Sequence, residues 1–419
     1  MILSRLQQRE REDRPVRVGV VGAGSMGAGL AARVFNTPGM RLVWICDLDV
    51  ARGRAAVIAA GAEPAHGADV FDPRVVIVGD DALAFLSSDR PALEIDVFVE
   101  STNTVVAAAR HCLAAIDRSA HVVLMNAEVD LAFGGMLAAR AAERGVVVSS
   151  DAGDQHGVLK RMIDEIEMWG LRIVQIGNIK GFLDRYQTAD GLRAEAAARQ
   201  LNPVQCCAYT DGTKLNIEMA VIANATGAVP TVRGMEGPRA THVSEVLRLF
   251  DFASYPTDRA IVDYVLGAEP GGGVYVVGFC DEPAEMRYLQ YYKLGSGPYY
   301  LFYRPYHLCH LETTYAIGLA ALYGEAVARP LPDRVCDVFA FAKRHLGAAE
   351  RLAHGIGGDQ AYGLIDRCDG AESAGLLPIW MLDATGPDAA ILNRAVRKDE
   401  PIRLNDVEFH DRHLRALMP

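Results

Sequence analysis

Lys214 and Glu218 stand four residues apart in Asp211-Gly-Thr-Lys-Leu-Asn-Ile-Glu218, and the stretch from Ala220 to Gly227 that follows carries no charge. Residues four apart share a helix face, so Lys214, Glu218 and Ile222 align while Asn216 points elsewhere. On a solvated surface such a pair is worth only a few tenths of a kcal/mol. The uncharged continuation predicts a buried helix instead, and a buried lysine must be paired or neutralised. Lysines in that condition often act as acid–base groups. Lys214 is therefore the candidate proton donor or acceptor, with Asp211 and Glu218 as groups that orient it or bind substrate hydroxyls. Lys180 follows the apolar run Ile173 to Ile176 in a glycine-flanked turn and is a second candidate, for an anion or a carbonyl. The run Tyr303-Arg-Pro-Tyr-His-Leu-Cys-His-Leu-Glu312 holds His307, His310 and Glu312, but their spacing matches no common zinc signature, so no metal ligand is assigned. Arg304 and His307 are read as substrate or phosphate contacts, with helix capping or core packing as the alternative. Thr313 to Tyr323 reads as the helix they introduce.

A second constellation lies near the start of the chain. Val16 to Val21 is a β-rich apolar run suited to a buried parallel strand, and Gly22-Ala-Gly24-Ser25-Met26-Gly27 follows it at once, ahead of a helical stretch from Ala28 to Val34. Gly22 permits the tight turn, Gly24 lets the backbone approach a pyrophosphate, and Gly27 lets helix and strand pack closely. The free amides of the first helical turn, at Ser25 and Met26, then bind phosphate. A further apolar run, Arg41 to Cys46, ends at Asp47, where an acid is placed to accept hydrogen bonds from the adenosine ribose. That favours NAD, while Arg52 and Arg54 leave NADP open.

More strand-like runs follow at Val75–Val78, Val97–Glu100, His121–Met125 and Val146–Ser149, with helical stretches between them. Such alternation defines an α/β fold with a doubly wound parallel sheet. Ser101, Thr102 and Asn126 close two of these strands at the carboxyl edge, where cofactors bind; helix capping is the competing reading for each. Glu128 lies just beyond, toward the substrate.

The chain has 419 residues, half of them hydrophobic and 23% charged, an ordinary globular composition with room for two or three domains. Its formal net charge of -11 excludes a broad nucleic-acid footprint but not a local pocket for small anions. No apolar stretch is long enough to span a bilayer, and Met1 to Arg17 reads as a short charged helix, not a secretion signal. Eight cysteines without a paired pattern, Cys206-Cys207 included, fit reduced thiols in a cytoplasm.

Glu100-Ser-Thr-Asn103 and His121 to Asn126 resemble the nucleotide domain of homoserine dehydrogenases. A wider set is similar to a homoserine-dehydrogenase-like family with a C-terminal SAF-like domain, one branch of which contains deoxyxylulose-phosphate reductoisomerase-like enzymes. That set comprises Asp154-Gln155, Gly177 to Gly181, Asp211 to Glu218, Ala223 to Gly227, Tyr303 to Leu308 and Leu376 to Ile379. The resemblance implies that a lysine at the position of Lys214 faces the substrate beside the nicotinamide. True homoserine dehydrogenases carry a lysine near Glu128 and Asp130, so amino-acid semialdehyde reduction is not implied. It further implies a Rossmann domain over 1–155, with the helix near 312–325 packed back on it, a mixed α/β catalytic domain over 156–330, and a small β-rich SAF-like domain over 331–419. Within the last, Arg394 to Val407 resembles the strand–turn element of SAF domains, with Asp399-Glu-Pro401 as the turn, serving as lid, brace or dimer contact. The expected protein is a homo-oligomeric NAD(P)-dependent oxidoreductase acting on a carbinol or carbonyl of a small phosphorylated polyol or sugar. A reductoisomerase, which alone would call for a divalent metal, is the second enzyme reading. A non-catalytic dinucleotide-responsive regulator or sugar-binding scaffold is the rival of another class.

Overall fold

Apolar β-rich runs alternate with helices through the first third of the chain. In the computed structural model, which describes residues 1–66, 72–199, 201–370 and 373–417, they form one parallel seven-stranded sheet. The strands are β1 (Val16–Val21), β2 (Met40–Cys46), β3 (Glu63–Ala65), β4 (Val75–Gly79), β5 (Val97–Glu100), β6 (His121–Leu124) and β7 (Val148–Ser150), in spatial order β3-β4-β2-β1-β5-β6-β7. The order reverses at β1, which sits between β2 and β5. A ligand crevice in an open α/β sheet falls at such a switch point, outside the carboxyl ends of the strands. The central strands read as unbroken apolar runs because helices cover both faces; Val18, Val20, Val97, Val99, Val122 and Val123 are fully buried.

The chain divides into two compact units, Met1–Gly157 with Leu308–Arg329, and Val158–His307 with Pro330–Pro419. In the first, helix Cys309–Tyr323 packs on helix Ser25–Phe35, on β6 and on the N-terminal helix Ile2–Arg11. Ala316 and Ile317 share a core there with Leu6, Leu30 and Val34.

The second unit contains a four-stranded sheet of β8 (Arg172–Lys180), β9 (Ile261–Leu266), β10 (Val274–Phe279) and β11 (Tyr299–Arg304), in order β11-β10-β8-β9. β8 runs through Gly177 and Asn178 to Lys180, so Lys180 ends a strand and does not sit in the turn expected from its glycines. The reason is packing: a Cβ at Gly177 would lie 2.0 Å from the ring of Tyr275, its neighbour on β10, so this glycine makes room for an aromatic ring and not for a turn. One face of the sheet packs Ile179, Val265, Tyr275 and Val277 against Val243, Val246, Phe250 and Phe252. Helix Thr213–Thr226 packs on β8 and β9, and also on the antiparallel pair β12 (Cys336–Ala342) and β14 (Ala361–Arg367), with short β13 (Arg351–Leu352) between them in sequence. Every residue of that helix from Thr213 to Asn224 is buried. Residues 330–419 thus belong to the same compact unit as the helix of Lys214. The Asp399 turn is present, with Asp399 at φ 63 and the Glu400 amide donating to Arg397 O at 3.0 Å. Among the described residues no helix is long and apolar enough to cross a membrane.

Candidate active site

In the first unit, the glycines between β1 and helix Ser25–Phe35 build a cradle. Gly22 adopts φ +91, and a Cβ there would lie 2.7 Å from Ser101 O. A Cβ at Gly27 would lie 2.0 Å from Gly22 O, so the turn closes only around hydrogen. Gly24 is different. It is the helix N-cap, without a side-chain cap, and a Cβ on it would meet no protein atom within 4 Å. Its side of the loop is open, and the first-turn amides of Ser25 and Met26, both exposed, are left for an anion. Asp47 joins this loop to the end of β2: its Oδ2 accepts from the Ala23 amide at 2.7 Å and its Oδ1 from the Asp49 amide at 2.9 Å.

The polar residues at the strand ends brace the loop. Ser101 Oγ donates to Val21 O at 2.6 Å and to Gly22 O at 3.0 Å. The Thr102 amide donates to Glu100 Oε1 at 2.8 Å. Asn126 caps helix Ala127–Arg144, accepting from the Glu128 and Val129 amides at 3.1 Å, and ties it to Thr104 O at 2.6 Å. Glu128 is half-buried in the first turn of that helix.

Three carboxylates in this unit, Glu100, Asp130 and Asp151, none of them among the expected site residues, are buried near the carboxyl ends of β5 and β7. Glu100 meets His111 Nδ1 at 3.2 Å, and Asp130 accepts a hydrogen bond from Ser150 Oγ. Burial, with Asp154 adding repulsion, pushes Asp151 up to about 7. Asp130 in a long helix and Asp151 in a loop give no periodic signal, and only the fold shows that they are enclosed.

In the second unit, Lys214 and Glu218 are both buried on helix Thr213–Thr226. Another face of the helix docks on β14, where Thr213 Oγ1 accepts from the Gly363 amide at 2.9 Å and Asn216 Oδ1 from the Ile365 amide at 2.8 Å. Asp211 does not hold Lys214. Its Oδ2 pairs with Lys343 Nζ at 2.8 Å and its Oδ1 accepts from the Thr213 amide at 2.7 Å. Asp211 precedes the N-cap Gly212, which is left-handed at φ 85, and a carboxylate there reaches the first free amide of the helix. Burial pushes Asp211 above the usual carboxylate range, and Lys343 is the chief opposing influence. Lys343 was visible in the sequence only as a charge after the β12 run. Its ammonium also donates to Gln187 O at 2.8 Å and Gly358 O at 2.7 Å.

Lys180 is half-buried at the end of β8. Asn178, two residues before it and so on the same sheet face, is fully buried, and neither of its amide atoms has a hydrogen-bond partner among the described residues. The Arg304 guanidinium lies over the Tyr306 ring at 4.5 Å, and His307 is half-buried. Of the remaining polar residues in that run, both in the first unit, Glu312 accepts from the Leu308 amide at 3.3 Å, a helix-start contact. His310 packs so close to Gly29 that a Cβ there would lie 2.7 Å from its ring.

Residues 153–313 match the family model described as oxidoreductase DRL, catalytic domain. No curated protein matches the sequence. Among solved structures, the chain is similar to GenD2 from gentamicin A biosynthesis in complex with NAD, at 14% identity, TM-score 0.40, covering 76% of this chain and 89% of that one. It is also similar to a putative myo-inositol dehydrogenase from Sinorhizobium meliloti 1021, at 14% identity, TM-score 0.41, covering 74% and 90%. A third likeness is to myo-inositol dehydrogenase from Lactobacillus casei in complex with NAD(H) and myo-inositol, at 18% identity, TM-score 0.39, covering 70% and 75%. The parallel sheet with its glycine cradle and the matched catalytic segment define an oxidoreductase. The dinucleotide that the cradle suits is NAD or NADP.

Proposed function

We propose that this chain interconverts a carbinol and a carbonyl on a small polyol or sugar, phosphorylated, using NAD or NADP. The observation that carries the reading is the open side of Gly24, in a loop otherwise closed around Gly22 and Gly27, in a chain that also matches an oxidoreductase catalytic domain. Gly22, Gly24, Gly27 and the Ser25 and Met26 amides hold the pyrophosphate, and Asp47 takes the adenosine ribose, favouring NAD. Ser101, Thr102 and Asn126 set the carboxyl edge against which the nicotinamide half lies. When bound, the nicotinamide supplies the hydride donor or acceptor.

Lys214 moves the proton of the reacting oxygen. Glu218, one turn along the helix, keeps it charged or binds a neighbouring hydroxyl. Asp211 acts through the helix start and not by touching Lys214. Lys180, Arg304, His307 and Glu128 contact the substrate, the cations among them suiting its phosphate. Residues 331–419 serve as a brace for the Lys214 helix, a role supported by the Lys343–Asp211 pair and the amides of Gly363 and Ile365.

The test is absorbance at the nicotinamide band with purified protein, NAD or NADP, and a set of polyol and sugar phosphates beside their unphosphorylated forms. Turnover with a member of the set is expected. Cofactor binding without turnover on any of them would overturn the reading in favour of a regulator.

A further inference from the structure

We propose that Cys207 and Lys343 form a modification site, at which the thiol and the amine are joined through one oxygen atom in a reversible N–O–S bridge. Lys343 Nζ lies 3.3 Å from Cys207 Sγ, a gap that one inserted oxygen spans with little movement. Cys207 is fully buried and Lys343 is 4% exposed, so neither side chain can swing away into solvent. The ammonium is held further by Gln187 O at 2.8 Å and Gly358 O at 2.7 Å, and the thiol rests 3.2 Å from the same Gln187 O. Cys207 sits in the last turn of helix Pro203–Thr210 and Lys343 directly after β12, so two regular elements fix the spacing. Groups held in this way react as though at very high concentration.

The third member of the cluster is Asp211. Its Oδ2 is 2.8 Å from Lys343 Nζ and 3.9 Å from Cys207 Sγ, so one carboxylate touches both groups that must give up protons. The oxidant is dioxygen or a peroxide. With dioxygen, the S–H bond and one N–H bond of the neutral amine break, S–O and O–N bonds form, and the second oxygen atom leaves as water. Sulfur and nitrogen together lose four electrons, which dioxygen accepts. With hydrogen peroxide, two molecules are consumed and three waters are released. The first peroxide carries the thiol to a sulfenic acid, the usual first step of cysteine oxidation. A thiol reductant reverses the bridge by returning four electrons and releasing its oxygen as water.

The bridge would remove the positive charge that Asp211 faces. Asp211 also holds the Thr213 amide at the start of the helix that carries Lys214, so the oxidised protein is expected to turn over more slowly. That consequence rests on the function proposed above; the bridge itself does not.

The experiment is intact-mass analysis and peptide mapping of the full chain, kept in dithiothreitol or exposed to hydrogen peroxide. The expected result is a gain of one oxygen less two hydrogens, and a linked peptide pair joining Cys207 to Lys343. Dithiothreitol should remove both. Cys207→Ser keeps a hydroxyl beside Lys343 but lacks the sulfur, and should show neither product. Oxidation that leaves only sulfinic or sulfonic acid on Cys207, a disulfide, or an unmodified pair would overturn the proposal. So would a mass gain that persists in Cys207→Ser. Should that variant fail to fold, the wild-type peptide map decides alone.

Discussion

Replacing Lys343 with Met tests whether the C-terminal segment supports the helix start at Asp211. The methionine keeps most of the stem and removes the charge. In the wild type the Lys343–Asp211 pair is 2.8 Å long with side chains 2% and 0% exposed, so water cannot take the place of the ammonium. Removing one partner of a buried pair costs about 3–5 kcal/mol, because the other charge stays buried without compensation. Two backbone carbonyls, of Gln187 and Gly358, lose a donor at the same time. The pH dependence gives a second readout. Asp211 is already raised by burial against the opposing effect of Lys343, so losing the lysine raises it further. Its folded carboxyl then holds a proton that the unfolded chain releases, and stability falls as pH rises above the ordinary carboxylate range. Urea unfolding of Lys343→Met, followed by the fluorescence of buried Trp380, should show a larger loss at about pH 8 than at about pH 5. Adding Asp211→Asn should recover part of the loss. A cost below about 1 kcal/mol, or an equal cost at both pH values, would refute the assignment of this pair as a buried charge clamp.

Four further outcomes are expected. Gly24→Val should fold normally, since a Cβ there meets nothing in the protein, yet lose dinucleotide binding by calorimetry; wild-type affinity would remove the cradle from the argument. Asp47→Ser should raise the affinity for NADP relative to NAD, and an unchanged ratio would show that Asp47 serves only the Ala23 and Asp49 amides. Lys214→Met should slow single-turnover chemistry by about 10²–10⁴-fold with cofactor affinity kept, whereas a rate within about threefold of wild type would shift the proton role to Lys180. Asp151 is buried and pushed up to about 7, so wild-type stability should fall as pH climbs from about 4 to about 7. Asp151→Asn should flatten that slope, and an identical pH profile in thermal unfolding would contradict its burial as a carboxyl.

The parallel sheet was legible because its signals are local. Val16 to Gly27 holds strand, turn and helix start in one short stretch, and each glycine has a steric reason that a single sequence reveals. The buried helix was legible too, from the uncharged run after Glu218. Partners were not. Asp211 and Lys214 are neighbours in sequence, yet beside the left-handed Gly212 the carboxylate meets a lysine that arrives just past the end of β12, far downstream. Gly177 misled for the opposite reason: in sequence a glycine near a lysine suggests a turn, but this one makes room for a tyrosine ring across a strand pair. Glu100 was legible as a strand end, but the burial of Asp130 and Asp151 shows only once the strands and helices close around them.

The division of the chain also constrains the order of its making. The first unit takes residues 1–157 and then 308–329, and the second takes 158–307 and then 330–419. A ribosome that has emitted only the first 157 residues has released a parallel sheet lacking the helix Cys309–Tyr323, whose Ala316 and Ile317 complete its core. The nascent sheet must wait, with that apolar surface uncovered, while a further 150 residues are synthesised (158 to 307). Apolar surface left open during synthesis invites aggregation or a chaperone. Neither unit can be expressed alone by cutting the chain once. A fragment ending at Gly157 should be the less soluble product, and supplying the missing helix by a short linker after Gly157 is the direct way to make the sheet stand by itself.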